Sequence, residues 1–264
     1  MASSTAPAAF ADLLRQAVIE PGLISAAYSQ FHNYSFGNVM LAAFQCQQRE
    51  LPFGPLATFP RWKALGRHVK KGERALALCR PVTVRVDEDD DQNAEARRFT
   101  RFIFKNAWFV LAQTEGPDVP RLTLPSWDQT RALAALDVKE IAFSTTNGNI
   151  MGYARQREIA ISPLSPLPHK TRFHEVAHVL LGHTTEAEQA DGDLTPRDLR
   201  EVEAEAVALL CCEALGLPGA DYSRGYIQNW WGAGNAIPER SAQKILKVAD
   251  QILRAGRVEQ AVQE

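Results

Sequence analysis

The chain has 264 residues, 45% of them hydrophobic and 23% charged, with a formal net charge of -2. This is globular composition, long enough for one large or two modest domains, and it excludes a uniformly basic nucleic-acid coat while leaving room for a local basic face. Met1–Pro7 has neither a basic run nor an apolar stretch behind it, and no segment reaches the apolar length of a membrane span, so a cytoplasmic protein without a membrane partner is expected.

In chain order, Phe10–Ile19 reads as an amphipathic helix stopped by Pro21-Gly22, followed by helices over about Leu23–Phe31 and Asn38–Arg49. Leu51–Pro60 reads as a loop and Arg61–Leu65 as a short helix. Ala75–Cys79 and Pro81–Val86 read as strand pieces, Asp87–Ala96 as an acidic hairpin tip, and Phe99–Ala112 as a strand or hairpin. Gln113–Ser126, with its prolines, is the expected linker. Beyond it, Ser126 is expected to cap a helix over Asp128–Leu136. Lys139–Ser144, Asn149–Ala154 and Glu158–Ser162 read as strands around an Asn147-Gly148 turn. Helices follow over about His169–Leu181, Arg197–Leu215, Ser223–Trp231 and from Pro238 to about Arg254, with a polar loop at Asp191-Gly192-Asp193. The predicted class is α+β. N-terminal helices with a small antiparallel sheet form a domain over 1–115, a linker covers 116–127, and a zincin-like domain covers 128–264, its small sheet packed on the 169–181 helix and further helices. Cys46, Cys79, Cys211 and Cys212 contain no C-x-x-C pair and read as buried reduced thiols.

His174-Glu175-Val176-Ala177-His178 is an H-E-x-x-H pattern on a predicted helix. Positions four apart share a face, so the two imidazoles can converge on one metal while Glu175 reaches a water held there. That suits Zn²⁺-assisted peptide hydrolysis with Glu175 as general base. Mn²⁺ or another divalent ion is an alternative. A third ligand is needed, and Glu201, Glu203 and Glu205 lie on the next helix. Glu201 and Glu205 share a face; Glu201 is assigned as ligand and Glu205 as the acid receiving a ligand histidine's N–H, with Glu203 as the alternative ligand. His183 is a competing ligand or a helix-end histidine, and His169 has no assigned role. Tyr153, Tyr222 and Tyr226 are candidates for stabilising the oxyanion, with Tyr153 carried as the site residue.

In the first half, Arg61, Lys63, Arg67, His68, Lys70, Lys71, Arg74 and Arg80 are interleaved with Phe59 and Trp62. Phe99, Phe102, Phe104, Trp108 and Phe109 follow, with Arg97, Arg98, Arg101 and Lys105 among them. Cations beside aromatics suit single-stranded nucleic acid, by phosphate neutralisation and base stacking. The expected DNA-binding set is Phe59, Arg61, Trp62, Lys63, Arg67, Lys70, Lys71, Arg74, Phe102 and Trp108. The alternative is a solvated basic face over an aromatic core.

Asn38-Val39-Met40-Leu41, Phe59–Trp62, Leu65-Gly66, Val69–Glu73 and the stretch Phe99–Thr114 resemble the N-terminal domain of ArdC-type antirestriction proteins. Gly152-Tyr153, Ile159–Pro163, the H-E-x-x-H helix, Glu201–Glu205 and Tyr226-Ile227-x-x-Trp230 resemble the metallopeptidase-like domain of that family. The likeness runs from about Tyr34 to Leu253. It implies an N-terminal single-stranded-DNA-binding domain, a C-terminal gluzincin-like domain, an unidentified protein substrate, and carriage by plasmids or other mobile elements to protect incoming DNA from host restriction. Val-Leu-Leu-Gly-His after His178 is closer to ImmA/IrrE-type regulatory peptidases. Two other functions are therefore carried: a repressor-cleaving regulatory protease, and a DNA-binding shield whose metal-stabilised domain does not turn over substrate.

Overall fold

A computed structural model describes residues 7–86, 97–120, 122–184 and 195–258, with the backbone only at 84–86 and 97–101. The expected acidic tip Asp87–Ala96 and the loop Asp191-Gly192-Asp193 lie outside the described residues. The chain forms two compact units, one over residues 1–8 and 41–121 and the other over 9–40 and 122–264. The sequence reading divides the chain at 116–127 instead and keeps all the N-terminal helices with the first domain. The reason for the difference is the strongly apolar faces of helices α1 (Phe10–Ile19) and α2 (Leu23–Phe31). Leu13, Leu14, Ala17 and Val18 on α1, and Ile24, Ala27 and Phe31 on α2, are fully buried in the second unit. Helix α3 (Phe36–Gln48) is cut between Met40 and Leu41.

The first unit holds β1 (Leu56–Thr58), α4 (Phe59–Ala64), β2 (His68–Val69), β3 (Leu76–Val86), β4 (Arg97–Val110) and β5 (Thr114–Glu115). An antiparallel sheet runs β1-β4-β3, and β2 pairs with β5. Strand β3 continues through Pro81, which the sequence reading treats as a break. It lies on the sheet's edge strand, where a proline is tolerated. Strand β1 lies within the stretch read as a loop; three residues are too few to show alternation. Gln45 ties α3 to β3, its amide donating to Ala77 O at 2.9 Å and its oxygen accepting from Ala77 N at 2.8 Å.

The second unit continues with β6 (Ser126–Trp127), α5 (Gln129–Ala135), β7 (Lys139–Glu140), β8 (Gly152–Arg155), β9 (Glu158–Ile161), α6 (Pro168–Leu180), α7 (Arg197–Leu215), α8 (Ala220–Gly232), α9 (Glu239–Ala255) and β10 (Arg257–Val258). Asp128, not Ser126, caps α5, accepting from Arg131 N at 2.6 Å, because Ser126 is taken into the β6–β10 pair. The site-bearing sheet runs β7-β9-β8, with β7 parallel and β8 antiparallel to β9. Helix α7 is buried on nearly every side from Val202 to Ala214, as befits a central core helix. Helix α9 supplies what α1 and α3 lack at their N-termini. Glu239 accepts from Phe10 N at 3.1 Å and Ala11 N at 2.8 Å, and Asp250 accepts from Phe36 N at 2.8 Å. The buried Arg224–Glu213 pair locks the end of α1 to α7 and α8: Arg224 also donates to Ala17 O at 3.0 Å and to Val18 O, and Glu213 accepts from Gly22 N at 2.6 Å. Among the described residues, no helix is long and apolar enough to cross a membrane. All four cysteines are free thiols; Cys46, Cys211 and Cys212 are buried.

Candidate functional site

Helix α6 packs Phe173, Val176 and Ala177 into the core, with the Phe173 ring edge-on to Trp127 at 5.3 Å between centroids. One step round, His174 and His178 point at α7 instead. Their Nε2 atoms lie 3.1 Å apart, and Glu201 Oε2 is 3.4 Å from the first and 3.6 Å from the second. His174, His178 and Glu201 thus offer three ligand atoms within 4.8 Å of one another. The sequence-assigned triad is brought together as expected, with Glu201 rather than Glu203 facing the imidazoles.

The donors fit a cation. His174 Nδ1 is buried 3.3 Å from Glu205 Oε1; with a cation held on Nε2, the ring's proton would sit on Nδ1, facing a carboxylate that can only accept. Lone pairs from imidazole and carboxylate crowded this closely repel unless a positive charge sits among them. The local field favours such a charge. Although burial opposes protonation of His174, Glu201 and Glu205 push its imidazole up to about 9. The imidazoles of His174 and His178 beside it hold Glu201 well below the usual carboxylate range. Glu205 is held at about 2 against its burial, by His174 and by the buried ammonium of Lys170. Lys170 Nζ bonds Glu205 Oε1, and Ser223 Oγ donates to Glu205 Oε2 at 2.6 Å.

Glu175 is buried beside the triad, and burial pushes its carboxyl above the usual range. Strand β8 presses on it closely: a Cβ on Gly152 would come within 2.8 Å of Glu175 Oε1 and 2.7 Å of Thr171 Cγ2. Gly152→Ala is therefore expected to displace Glu175 and to cost about 1–3 kcal/mol, seen as a lowered melting temperature.

The same strand corrects the assignment of Tyr153. Successive strand residues face opposite sides, so with Gly152 turned to α6, Tyr153 turns away. It stacks on Phe143 at 5.8 Å and shares a hydrogen bond with Ser144 Oγ at 3.2 Å. Tyr222 lies under Lys170 Nζ, 4.9 Å from the ring centroid. Tyr226 is the phenol that senses the triad: burial raises its pKa, and the charges of Glu201 and Glu205 raise it further. His183 and Glu203, read as competing ligands, instead pair with each other, His183 Nε2 lying 2.9 Å from Glu203 Oε2, while His183 Nδ1 lies 3.0 Å from His178 Nδ1. Lys170 has no sequence signal beyond its place in the first turn of α6.

The expected DNA-binding residues are not brought together. Trp62, 1% exposed, donates its Nε1–H to Phe109 O at 2.8 Å, and Trp108 is buried, so neither ring is open to a base. Arg67, 8% exposed, spends its guanidinium on Thr114 Oγ1 at 2.8 Å, Thr114 O at 3.1 Å and Gly116 O at 2.8 Å. These three are corrected to structural residues: in a small unit, aromatic and guanidinium groups are drawn into the core and the loop junction. Arg61, Lys63, Lys70, Lys71 and Arg74 are exposed, with Lys70 Nζ donating to Ala112 O at 2.9 Å. Phe59, 51% exposed, lines a groove of about 550 Å³ with Arg80, Lys105, Asn106 and Phe109. Phe102 is also exposed, at 65%, but by strand alternation it faces the other side of the sheet from Lys105.

The fold and this geometry define a two-unit protein whose second unit carries an H-E-x-x-H site completed by a glutamate from the following helix. Residues 16–108 match the N-terminal domain of the anti-restriction factor ArdC, and residues 134–222 match the IrrE N-terminal-like domain. The chain thus carries an ArdC N-terminal-like domain followed by an IrrE N-terminal-like domain. Two crystal structures of the antirestriction ArdC protein from plasmid R388 share the fold at 19% identity. The metal-free one gives a TM-score of 0.56, over 94% of each chain. The Mn(II)-bound one gives 0.54, over 94% of this chain and 97% of that chain. No curated protein matches the sequence.

Proposed function

We propose that this chain is a DNA-binding, metal-dependent peptidase of a mobile element, acting in the host cytoplasm to protect incoming DNA from restriction. The observation that carries the reading is the convergence of His174, His178 and Glu201 beside buried Glu175. The likeness to an Mn(II)-bound relative supports a divalent metal. Two imidazoles and a carboxylate suit Zn²⁺ best, with Mn²⁺ also compatible. When bound, the ion supplies Lewis acidity toward a peptide carbonyl and lowers the pKa of a water. Glu175 would serve as the proton carrier, taking a proton from an attacking water and giving it to the leaving amine, and its raised carboxyl pKa suits it to hold the proton between the two. Glu205 keeps His174 oriented, and Tyr226 is the candidate donor toward the oxyanion. Metal analysis of the purified protein tests the centre: one Zn²⁺ per chain, or a rise in melting temperature on adding it, is expected. Finding neither would end the reading.

For the first unit, the groove beside Phe59 supports single-stranded DNA as partner. Phe59→Ala is expected to cost about 1–3 kcal/mol of binding. Lys105→Ala should weaken binding and flatten its salt dependence. Arg67→Ala should lower the melting temperature instead. Fluorescence anisotropy with labelled oligonucleotides at two salt concentrations separates these outcomes.

Two other readings have their own support. The groove lies wholly within the first unit, which favours a shield that acts by binding alone. The IrrE-like match favours a regulatory protease, for which a cleaved repressor in expressing cells is the expected sign.

A further inference from the structure

We propose that His183 and Glu203 are positioning residues that fix the tautomer of His178 and thereby set the metal affinity of the site. This inference rests on the metal-centre reading above. For His178 to bind a metal through the Nε2 that faces His174, its Nδ1 must carry the proton, and that proton needs an acceptor. The atom in place is His183 Nδ1, 3.0 Å away. His183 in turn must keep its own proton on Nε2, and there Glu203 Oε2 lies 2.9 Å away. A carboxylate accepts only, so the whole chain has one direction: His178 donates to His183, and His183 donates to Glu203. The opposite tautomer of His178 would set two bare nitrogens against each other across the same gap. The side chains of His183 and Glu203 are only 4% and 2% exposed, so water does not compete for these bonds.

The arrangement explains the spacing Glu-Val-Glu-Ala-Glu. Glu201 and Glu205 share one face of α7 and meet the triad and His174. Glu203, about 200° round the helix from Glu201, is turned away from the triad, its Oε2 2.9 Å from His183 Nε2. His183, in the turn just beyond α6, stands between it and His178. Each ligand histidine thus has its own carboxylate, one direct and one through a second imidazole.

The test uses the full chain and reads metal affinity by competition with a chelator, alongside the melting temperature of the metal-free protein. In the double variant His183→Leu with Glu203→Leu, apolar groups replace a buried polar pair, an exchange that is often neutral for stability. Its metal-free melting temperature is expected near wild type, with Zn²⁺ affinity weaker by about 10–100-fold. Glu203→Gln keeps an acceptor for His183 and should lose much less affinity, which a purely structural role would not require. It also serves if the double variant does not fold, since it should then still bind nearly as wild type while Glu203→Leu alone does not. Wild-type Zn²⁺ affinity in Glu203→Leu or in the folded double variant would overturn the proposal. Absence of metal from the wild type itself would remove the centre on which it rests.

Discussion

On the proposed peptidase reading, Glu175→Gln is expected to lower peptide hydrolysis by about 10²–10⁴-fold, while leaving the fold and the metal content unchanged. The amide cannot take up the water's proton, yet it is nearly isosteric with the carboxyl and fills the same buried space against Gly152 and Thr171. It also removes an ionisable group whose charge burial already disfavours, so stability should hold or rise slightly. Comparing the proteomes of cells expressing wild type and the Gln variant reads turnover and names the substrate together. A cleavage product present only with wild type is the expected result. Full antirestriction activity in the Gln variant would instead place the biology in the first unit.

The second large effect concerns stability. Glu213→Ala is expected to cost about 3–5 kcal/mol, because it strands the buried guanidinium of Arg224. Glu213 and Arg224 have side chains each 8% exposed. The substitution also removes the acceptor for Gly22 N, loosening the junction between α1 and α2. For a protein of this size the loss corresponds to roughly 10 °C in melting temperature. The paired replacement Arg224→Met with Glu213→Leu should recover much of that loss, since no uncompensated charge remains. Thermal unfolding of the metal-free protein checks both. A shift of a degree or less for Glu213→Ala would show that the pair is not what holds α1 against α7 and α8.

How much of this was legible in the chain depends on whether the signal is local. Helices α1, α2 and α7 end where the sequence reading ends them, because apolar periodicity and the Pro21-Gly22 and Gly216 stops are properties of neighbouring residues. His174 and His178 were legible for the same reason: spacing of four on a helix dictates a shared face. Strand β1 was not, since three residues show no period and exist only by pairing with β4. Nor was the cap of α5, which depended on Ser126 being claimed by β10.

The basic, aromatic-rich first half shows the limit most clearly. Composition shows cations beside aromatics, but Trp62 and Arg67 differ from Phe59 and Lys105 only in where the chain folds them. The same holds for Tyr153 against Tyr226, and for Glu203 against Glu201. The sequence by itself determined the helical spacing of the H-E-x-x-H site and the α+β class, because those follow from short-range periodicity. The tertiary structure alone decided that α1 and α2 join the second unit, that His183 links His178 to Glu203, and which cations stay free. Those outcomes depend on burial and on partners distant in the chain, and no local pattern encodes them.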